Sequence, residues 1–282
     1  MGKFIKDLVN YVIFVIKVIF SNNQKNPLNK NKHGENLILL ANGPSLKEII
    51  PQLTNPVLFG DADFVVVNYF AEETIFWKLK PQHYCLADPM FFMPSHRHKD
   101  VIALYKLLNK VNWNLNLYIP QNRLKQFKLF SSLENSYINI IGINTQEYKG
   151  FSQFRNWFYK KGLAIPGLQT VAHLAIYIGI NWGYSTIKLY GVDHSFLESL
   201  HVNNNNELCN KDKHFYDNGE AKLKPIIKND SFNEVWKIAD YLVSIANMFK
   251  GHDILAEYAE YSGTEIINCT KGSYIDSYKR AN

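Results

Sequence analysis

The segment 36–50, which reads NLILLANGPSLKEII, constrains the fold more than any other part of this chain. A short apolar run ends at the turn Asn-Gly-Pro-Ser, and a helical pattern of apolar residues begins directly afterwards. Gly43 can adopt positive φ and let a ligand approach the backbone, and Pro44 presets the chain direction. Ser45 can cap the helix beside N–H groups that suit a phosphate. The segment predicts a strand, a turn and a helix, and the turn is either a phosphate site or a plain structural turn.

The rest of the chain repeats this alternation of short apolar runs and helical patterns. Strands are predicted at 37–41, 64–68, 82–86, 115–119, 137–141, 186–190 and 265–268. Helices are predicted at 45–53, 72–79, 97–111, 167–179, 232–249 and 253–262. The alternation predicts an α/β fold with a mainly parallel sheet flanked by helices. Two stretches, 145–166 and 194–231, lack a clean period, and loops of that length in a compact domain are usually lids or binding loops.

Composition narrows the class of protein. A chain of 282 residues with 46% hydrophobic content suits one large or two modest domains with a substantial core. The net charge of +6 is mild and the lysines are dispersed, which disfavours a nucleic-acid partner and suits anionic lipid or a phosphorylated ligand. The three cysteines are widely spaced and form no Cys-x-x-Cys pair, which argues against a disulfide framework or a zinc site. A reducing cytoplasm fits best.

Residues 1–22 are predicted to form an amphipathic helix, followed by a polar linker at 23–35 and a single catalytic domain at 36–282 with a lid at 194–231. The uncharged run 8–16 is too short to span a bilayer. On a helical wheel the polar residues share one arc of roughly 100°, and apolar residues occupy the remainder. That arc holds Lys3, Lys6, Asp7, Asn10 and Lys17. We therefore predict that residues 1–20 lie in an anionic membrane interface; the alternative is a helix docked on the protein core or on a partner chain.

Polar side chains follow several of the predicted strands. In an open α/β sheet, ligands bind beyond the carboxyl ends of the strands, and Asn42, Asn68, Asp88 and Asp193 all occupy such ends. The two asparagine amides can donate and accept, which suits a ribose, a base edge or a phosphate oxygen. Turn capping is the alternative role for both asparagines. These residues predict a ligand site at one edge of the sheet.

Five segments in sequence order resemble bacterial sialyltransferases of glycosyltransferase family 42 and the related MptE-like and motility-accessory-factor domains. NGPSLKEI at 42–49 resembles their nucleotide motif, and DFVVVN at 63–68 resembles their second strand, which ends in an asparagine at the nucleotide. GLQTVA at 167–172 resembles their Ser-Gly-x-x-Met helix. IKLYGVD at 187–193 and IINCT at 266–270 resemble two later strands. The resemblance extends over most of the chain.

The resemblance implies a Rossmann-like fold of the GT-A-variant type and a metal-independent glycosyltransferase without a cofactor. Such an enzyme moves an acidic sugar, sialic acid or another nonulosonate, from a CMP-activated donor to a cell-surface glycan or lipid-linked acceptor. We would then expect a peripheral protein at the cytoplasmic face of the inner membrane, active in surface polysaccharide assembly. The sequence leaves a homo-oligomer open.

The resemblance also implies roles for individual residues. The nucleotide would be bound by Asn42, Gly43, Pro44, Ser45, Asn68, Asp88, Gly167, Gln169 and Thr170. His214 matches the family's histidine base by its order in the chain, with an exposed loop histidine as the alternative. Tyr216 and Lys213 beside it, and Lys161 upstream, are the candidates for neutralising the leaving phosphate. Asp193 is expected to order the loop or to orient a histidine.

Other motifs point away from catalysis. Asp61-Ala62-Asp63 spells the Asp-x-Asp of metal-dependent sugar transferases, but it precedes a strand, so we interpret it as a solvated turn. His173, on an apolar helix, is expected to be a core histidine.

The chain also departs from the sialyltransferases. Ser195 stands where they have a tyrosine, and Pro166 stands where they have a serine. Two alternatives therefore stay open: an MptE-like diphosphokinase that moves pyrophosphate from ATP to a pterin alcohol, and a non-catalytic nucleotide-binding subunit of a polysaccharide assembly complex.

Overall fold

The computed structural model describes residues 2–20, 35–60, 62–94, 97–211, 223–229 and 234–281. The strands are β1 (Asn36–Leu40), β2 (Ala62–Val67), β3 (His83–Cys85), β4 (Leu115–Pro120), β5 (Ile138–Ile143), β6 (Thr186–Tyr190), β7 (Leu200–Val202), β8 (Leu208–Lys211), β9 (Leu223–Pro225), β10 (Ile227–Asn229), β11 (Glu234–Val235), β12 (Glu265–Asn268) and β13 (Lys279–Arg280). The helices are α1 (Gly2–Phe20), α2 (Leu46–Ile49), α3 (Pro56–Phe59), α4 (Thr74–Leu79), α5 (His98–Leu108), α6 (Leu124–Phe130), α7 (Ser152–Lys160), α8 (Val171–Trp182) and α9 (Ile238–Ser262). Short 3-10 turns connect several of them.

Eight of the strands form one parallel sheet in the order β13-β12-β6-β1-β2-β3-β4-β5. Side chains alternate between its faces, as the strand period requires. In β1, Leu37 and Leu39 pack with α1, α7, α8 and α9, whereas Ile38 and Leu40 pack with α2 to α6. Because both faces are covered, the central strands β1 and β2 carry continuous apolar runs, from Leu37 to Leu40 and from Phe64 to Val67. The predicted α/β fold with a parallel sheet flanked by helices is confirmed.

The chain that follows β1 adds strands toward one edge of the sheet, and the chain that follows β6 adds strands toward the other edge. From β1 the chain runs outward through β2, β3, β4 and β5, and it then returns to place β6 on the other side of β1. Leu40 pairs with Val66 of β2 and with Tyr190 of β6, so the three strands end at about the same level. Such a reversal of strand order opens a crevice beyond the carboxyl ends of the strands.

Helix α9 is continuous over Ile238–Ser262, where the sequence predicts two helices. Gly251 lies in its interior and is buried against the ring of His173, which occupies the space of a β-carbon at that position. A glycine within a helix costs only about 1 kcal/mol relative to alanine, and packing of neighbouring side chains exceeds that cost. The predicted break is therefore wrong.

Both aperiodic stretches contain regular structure. Helix α7 lies within 145–166, and its aromatic residues pack on α1. In the stretch 194–231, β7, β8 and β9 form an antiparallel sheet, while β10 pairs with β11. The strands have two to four residues each, which is too short for a period to be read from sequence. Most of the predicted linker at 23–35 lies outside the described residues.

Helix α1 packs on the domain through one face. Phe14 is 2% exposed, and its ring contacts Tyr148 and Phe158 with centroids 4.9 Å apart in each pair. Tyr11 also packs on the rings of Phe151 and Phe158, with centroids 6.0 and 6.3 Å away. The docked arrangement, predicted as an alternative, is therefore right for this face. The opposite face is open, with exposed Ile5, Leu8, Val9, Val12, Ile13, Ile16, Ile19 and Phe20. The ring of Phe4, although exposed, packs on Phe151.

None of the described helices is long and apolar enough to cross a membrane.

Candidate functional site

A cavity of about 420 Å³ occupies the crevice at the carboxyl ends of β1, β2 and β6. Its walls come from the turn after β1, the end of β2, the start of α8 and the segment after β6. From the predicted nucleotide site, it brings together Asn42, Gly43, Pro44, Asn68 and Thr170, and Asp193 joins them. Its position at the reversal of strand order is the one at which doubly wound folds bind their ligands.

A second cavity, of about 440 Å³, lies at the amino ends of β6 and β12 between Ser185, Glu265 and the end of α9. It holds none of the predicted site residues.

Gly43 makes the turn after β1 possible, for a reason that differs from the prediction. Its φ is not positive. Its N–H donates to the carbonyl of Gly191 at 2.9 Å, and a β-carbon at this position would overlap that carbonyl and the carboxylate of Asp193. The glycine is therefore required by the chain segment after β6, and a ligand approach to its backbone stays a prediction.

The backbone N–H and the hydroxyl of Ser45, which were predicted to bind phosphate, both donate hydrogen bonds to Asp193. Its Oδ1 accepts from the Ser45 backbone N–H at 3.1 Å, and its Oδ2 accepts from the Ser45 hydroxyl at 2.8 Å. Ser45 makes no side-chain cap bond to α2, and it does not line the cavity. A carboxylate of the protein itself thus occupies both donors, so neither is free for a phosphate in this arrangement, and the phosphate role of Ser45 stays a prediction.

Asn68 presents an unsatisfied acceptor in this cavity. Its φ is +52°, a conformation in which asparagine is several-fold enriched. Tyr84 donates its hydroxyl proton to the Asn68 carbonyl, and the Asn42 amide donates to Val67 at 3.3 Å. The Asn68 Oδ1 atom is buried, and no described residue donates a hydrogen bond to it. A buried polar atom without a partner costs about 1–3 kcal/mol, so a ligand that donates a hydrogen bond here would recover that energy.

Four residues predicted to bind nucleotide or phosphate lie elsewhere. Asp88 is exposed and accepts from the Met90 backbone N–H at 3.0 Å, so it caps a 3-10 turn. Gly167 faces Glu147, Gln169 is exposed, and exposed Lys161 lies over the Trp157 ring. None of the four lines the cavity. Thr170 does so, and its hydroxyl also caps α8 by accepting from the Ala172 N–H at 3.4 Å.

His214, Tyr216 and Lys213 lie outside the described residues, so their roles stay predictions. His201 is exposed on β7. His194, which follows Asp193, lines the cavity, is 8% exposed and has a φ of +51°.

Behind His194 lies a buried cluster that sequence reasoning missed. The His194 Nε2 atom is 3.0 Å from His252 Nε2, and His252 Nδ1 is 2.8 Å from the Tyr278 hydroxyl. The ring of His173 packs on that of His252, with centroids 4.3 Å apart, and His173 is buried as expected. The sole local signal is Gly251-His252 inside a helix-forming stretch, because Gly251 makes room for the His173 ring.

Burial controls the charge of this cluster. Desolvation lowers the pKa of His194 to about 4. Desolvation, with a smaller contribution from His194, lowers the pKa of His173 to about 3. The pKa of His252 lies well below its ordinary value for the same reason, aided by the two neighbouring histidines. All three imidazoles are therefore neutral at pH 7.

The Asp-x-Asp sequence is not the solvated turn that we expected. Asp63 is 1% exposed within β2 and accepts from the Tyr184 hydroxyl at 2.6 Å, whereas Asp61 lies outside the described residues. Burial with a strong hydrogen bond gives Asp63 a structural role at the amino end of the strand. Across the described ranges, no three His, Cys, Asp or Glu side chains are grouped so that they could hold a metal ion.

No family model and no curated protein matches this chain. Among solved structures, it is similar to the MAf glycosyltransferase from Magnetospirillum magneticum AMB-1, with 12% identity and a TM-score of 0.48. The match covers 99% of this chain and 38% of that protein, so the chain corresponds to well under half of its length.

Proposed function

We propose that this protein is a glycosyltransferase that binds a nucleotide-activated sugar in the cavity at the ends of β1, β2 and β6. The observation that carries the proposal is the buried, unpartnered Oδ1 of Asn68 at the point where the strand order reverses. A base amide, an exocyclic amine or a ribose hydroxyl can donate to that oxygen. The resemblance of the turn 42–49 and of the strand 63–68 to sialyltransferase motifs favours the same assignment.

The finer proposal is that the donor is a CMP-activated acidic sugar, sialic acid or another nonulosonate, and that the acceptor is a cell-surface or lipid-linked glycan. The resemblance alone supports these identities. No Lys or Arg is among the residues known to line the cavity in the described part of the chain, so the donor phosphate would meet neutral hydrogen-bond donors there.

Nucleotide binding tests the proposal directly. Thermal shift and calorimetry with CMP, CDP, UDP, GDP and ATP should single out CMP, because a ligand that binds the native state stabilises it by about 2.7 kcal/mol at a hundredfold excess over its Kd. Asn68→Gly, which keeps the backbone conformation and lacks the amide, is the matched control and should bind CMP more weakly. Stabilisation by ATP alone would favour the diphosphokinase. CMP binding without sugar transfer from CMP-activated nonulosonates would favour the non-catalytic subunit, and binding of none of these nucleotides would contradict the proposal.

Helix α1 supports a second part of the proposal, a peripheral location on an anionic membrane. Its open face is an apolar stripe, and Lys6 and Lys17 lie along one edge of the stripe. The acidic residue of the helix, Asp7, is half-buried. Exposed Phe154 of α7 packs on Tyr11 and extends the apolar surface beyond α1. An apolar face with lysines at its edge is the pattern of helices that lie in anionic interfaces. On this basis we propose a peripheral location at the cytoplasmic face of the inner membrane, where a lipid-linked acceptor would be found.

Vesicle flotation tests this location. The protein should float with vesicles containing phosphatidylglycerol and remain behind with phosphatidylcholine alone. Val12→Glu with Ile16→Glu places charge on the open face and should abolish flotation without unfolding. Asn10→Glu, on a half-buried polar position outside that face, is the control and should float. If the double variant floats as well as wild type, the open face of α1 is not the surface that binds the vesicles.

A further inference from the structure

A chain of two hydrogen bonds leads from the cavity into the core: His194 Nε2 to His252 Nε2 at 3.0 Å, and His252 Nδ1 to the Tyr278 hydroxyl at 2.8 Å. His252 is fully buried, and Tyr278 is nearly so. Each neutral imidazole carries a single N–H, so one proton position fixes the next along the chain.

Tyr278 sets the donor-to-acceptor direction of these two hydrogen bonds. Its buried hydroxyl proton needs an acceptor, and among the described residues its hydrogen-bond partner is His252 Nδ1. If the tyrosine donates to Nδ1, the proton of His252 is on Nε2 and is donated to His194 Nε2. The proton of His194 must then be on Nδ1. In the opposite direction, the tyrosine proton would lack an acceptor within the described residues, which is costly for a buried hydroxyl.

The ring nitrogen of His194 that is not bonded to His252 is the one available to the cavity. Its Nε2 is engaged with His252, so Nδ1 is the ring nitrogen available to a ligand. Its positive φ is unusual for a residue other than glycine and is held by the surrounding structure, as found at ligand sites. The cavity residues that the structure describes include no lysine or arginine, so the donors that these residues offer to an anion are neutral.

We propose that His194 presents a neutral Nδ1–H to a phosphate oxygen of the ligand in this cavity, and that His252 and Tyr278 are positioning residues that fix this tautomer. The ligand identity rests on the function proposed above. The low pKa of His194, caused by burial, agrees with a neutral donor at pH 7. A fixed neutral N–H is a good phosphate donor because it needs no reorientation when the ligand arrives.

Nitrogen-15 NMR of the full chain at pH 7 tests the tautomer without a ligand. The His194 signals, assigned by their loss in His194→Asn, should show a protonated Nδ1 and an unprotonated Nε2. Tyr278→Phe removes the donor and should shift His194 toward a mixture of tautomers. If that variant does not fold, His252→Gln offers a second way to break the chain. A protonated Nε2 on His194 in the wild type would overturn the proposal.

Calorimetry with CMP tests the hydrogen bond to phosphate. His194→Asn offers an amide N–H near the position of Nδ1–H, and His194→Gly offers none; both residues accept positive φ. We expect His194→Asn to bind CMP within about 3-fold of wild type and His194→Gly to bind about 10-fold more weakly, the usual loss for one hydrogen bond. Equal losses in both variants would overturn the donor role. If wild type binds no CMP, the proposed function fails, and the NMR measurement still decides the tautomer.

Discussion

The carboxylate of Asp193 accepts hydrogen bonds from both the backbone N–H and the hydroxyl of Ser45, at 3.1 and 2.8 Å. These bonds join the segment after β6 to the turn after β1, across the reversal of strand order. One wall of the crevice is therefore formed by the protein's own carboxylate, and Asn68 and His194 line the same cavity.

Ser45→Ala should destabilise the fold by about 1–3 kcal/mol, because the largely buried Asp193 Oδ2 loses its hydrogen-bond donor. Urea denaturation followed by circular dichroism measures this change. Ser45→Thr retains the hydroxyl and should keep most of the stability. Equal stability of the two variants would show that the hydroxyl contact contributes little.

Gly43→Ala should destabilise the protein whether or not nucleotide is present. The new methyl group would overlap the Asp193 carboxylate and the Gly191 carbonyl, and overpacking of this kind typically costs about 1–3 kcal/mol or more. Gly2→Ala, where the added carbon meets open space, is the control for thermal unfolding. A Gly43→Ala variant with wild-type stability and lost nucleotide binding would support the expectation that a ligand fills this space.

Asn68→Ala should weaken nucleotide binding by about 1–3 kcal/mol, the usual loss for a buried polar partner. Its positive φ would also be strained in alanine, so the stability of the variant falls as well. Asn68→Gly separates the two effects, because it relieves the strain but still lacks Oδ1. Calorimetry should show the same loss of affinity for both variants, and unchanged affinity would move the site elsewhere.

The free energy of unfolding should fall as the pH decreases from about 6.5 toward 4. Burial lowers the pKa of His194 to about 4 and that of His173 to about 3 in the folded protein, below the ordinary value of 6.5. Between pH 6.5 and 4 these histidines are therefore protonated in the unfolded chain and neutral in the folded protein. Each histidine adds a slope of about 1.4 kcal/mol per pH unit, and above pH 6.5 its contribution is constant. Urea denaturation of wild type and His173→Gln between pH 7 and 5 measures this slope. It should be shallower in the variant; an equal slope would show that His173 does not titrate differently on folding.

Phe14→Ala should destabilise the protein by about 3–5 kcal/mol, as expected for a buried phenylalanine in a core. Ile16→Ala, on the open face of the same helix, should change stability by less than about 0.5 kcal/mol. Chemical denaturation compares the two. For the same reason, removing residues 1–30 is expected to destabilise the fold. A Phe14→Ala variant as stable as wild type would show that the packing of α1 on the domain contributes little.

Several elements could be predicted from the sequence because their signals are local. The strands 186–190 and 265–268 coincide with the predicted ones, since each is a short apolar run between turn residues. The clustering of Asn42, Asn68 and Asp193 at one sheet edge also follows from strand order, because parallel strands end together.

The amphipathic pattern of residues 1–20 determined a helix, but a helical wheel does not say which face meets the core. Local pattern likewise determined the strands, the helices and the turn at Asn-Gly-Pro-Ser, because each depends on residues only a few positions apart. Only the tertiary structure decided that Asp193 binds Ser45, 148 residues earlier, and that His194, His252 and Tyr278 form one buried chain. Such contacts depend on strand order, register and helix packing, and these arise from the burial of all the apolar faces together, so no single segment encodes them.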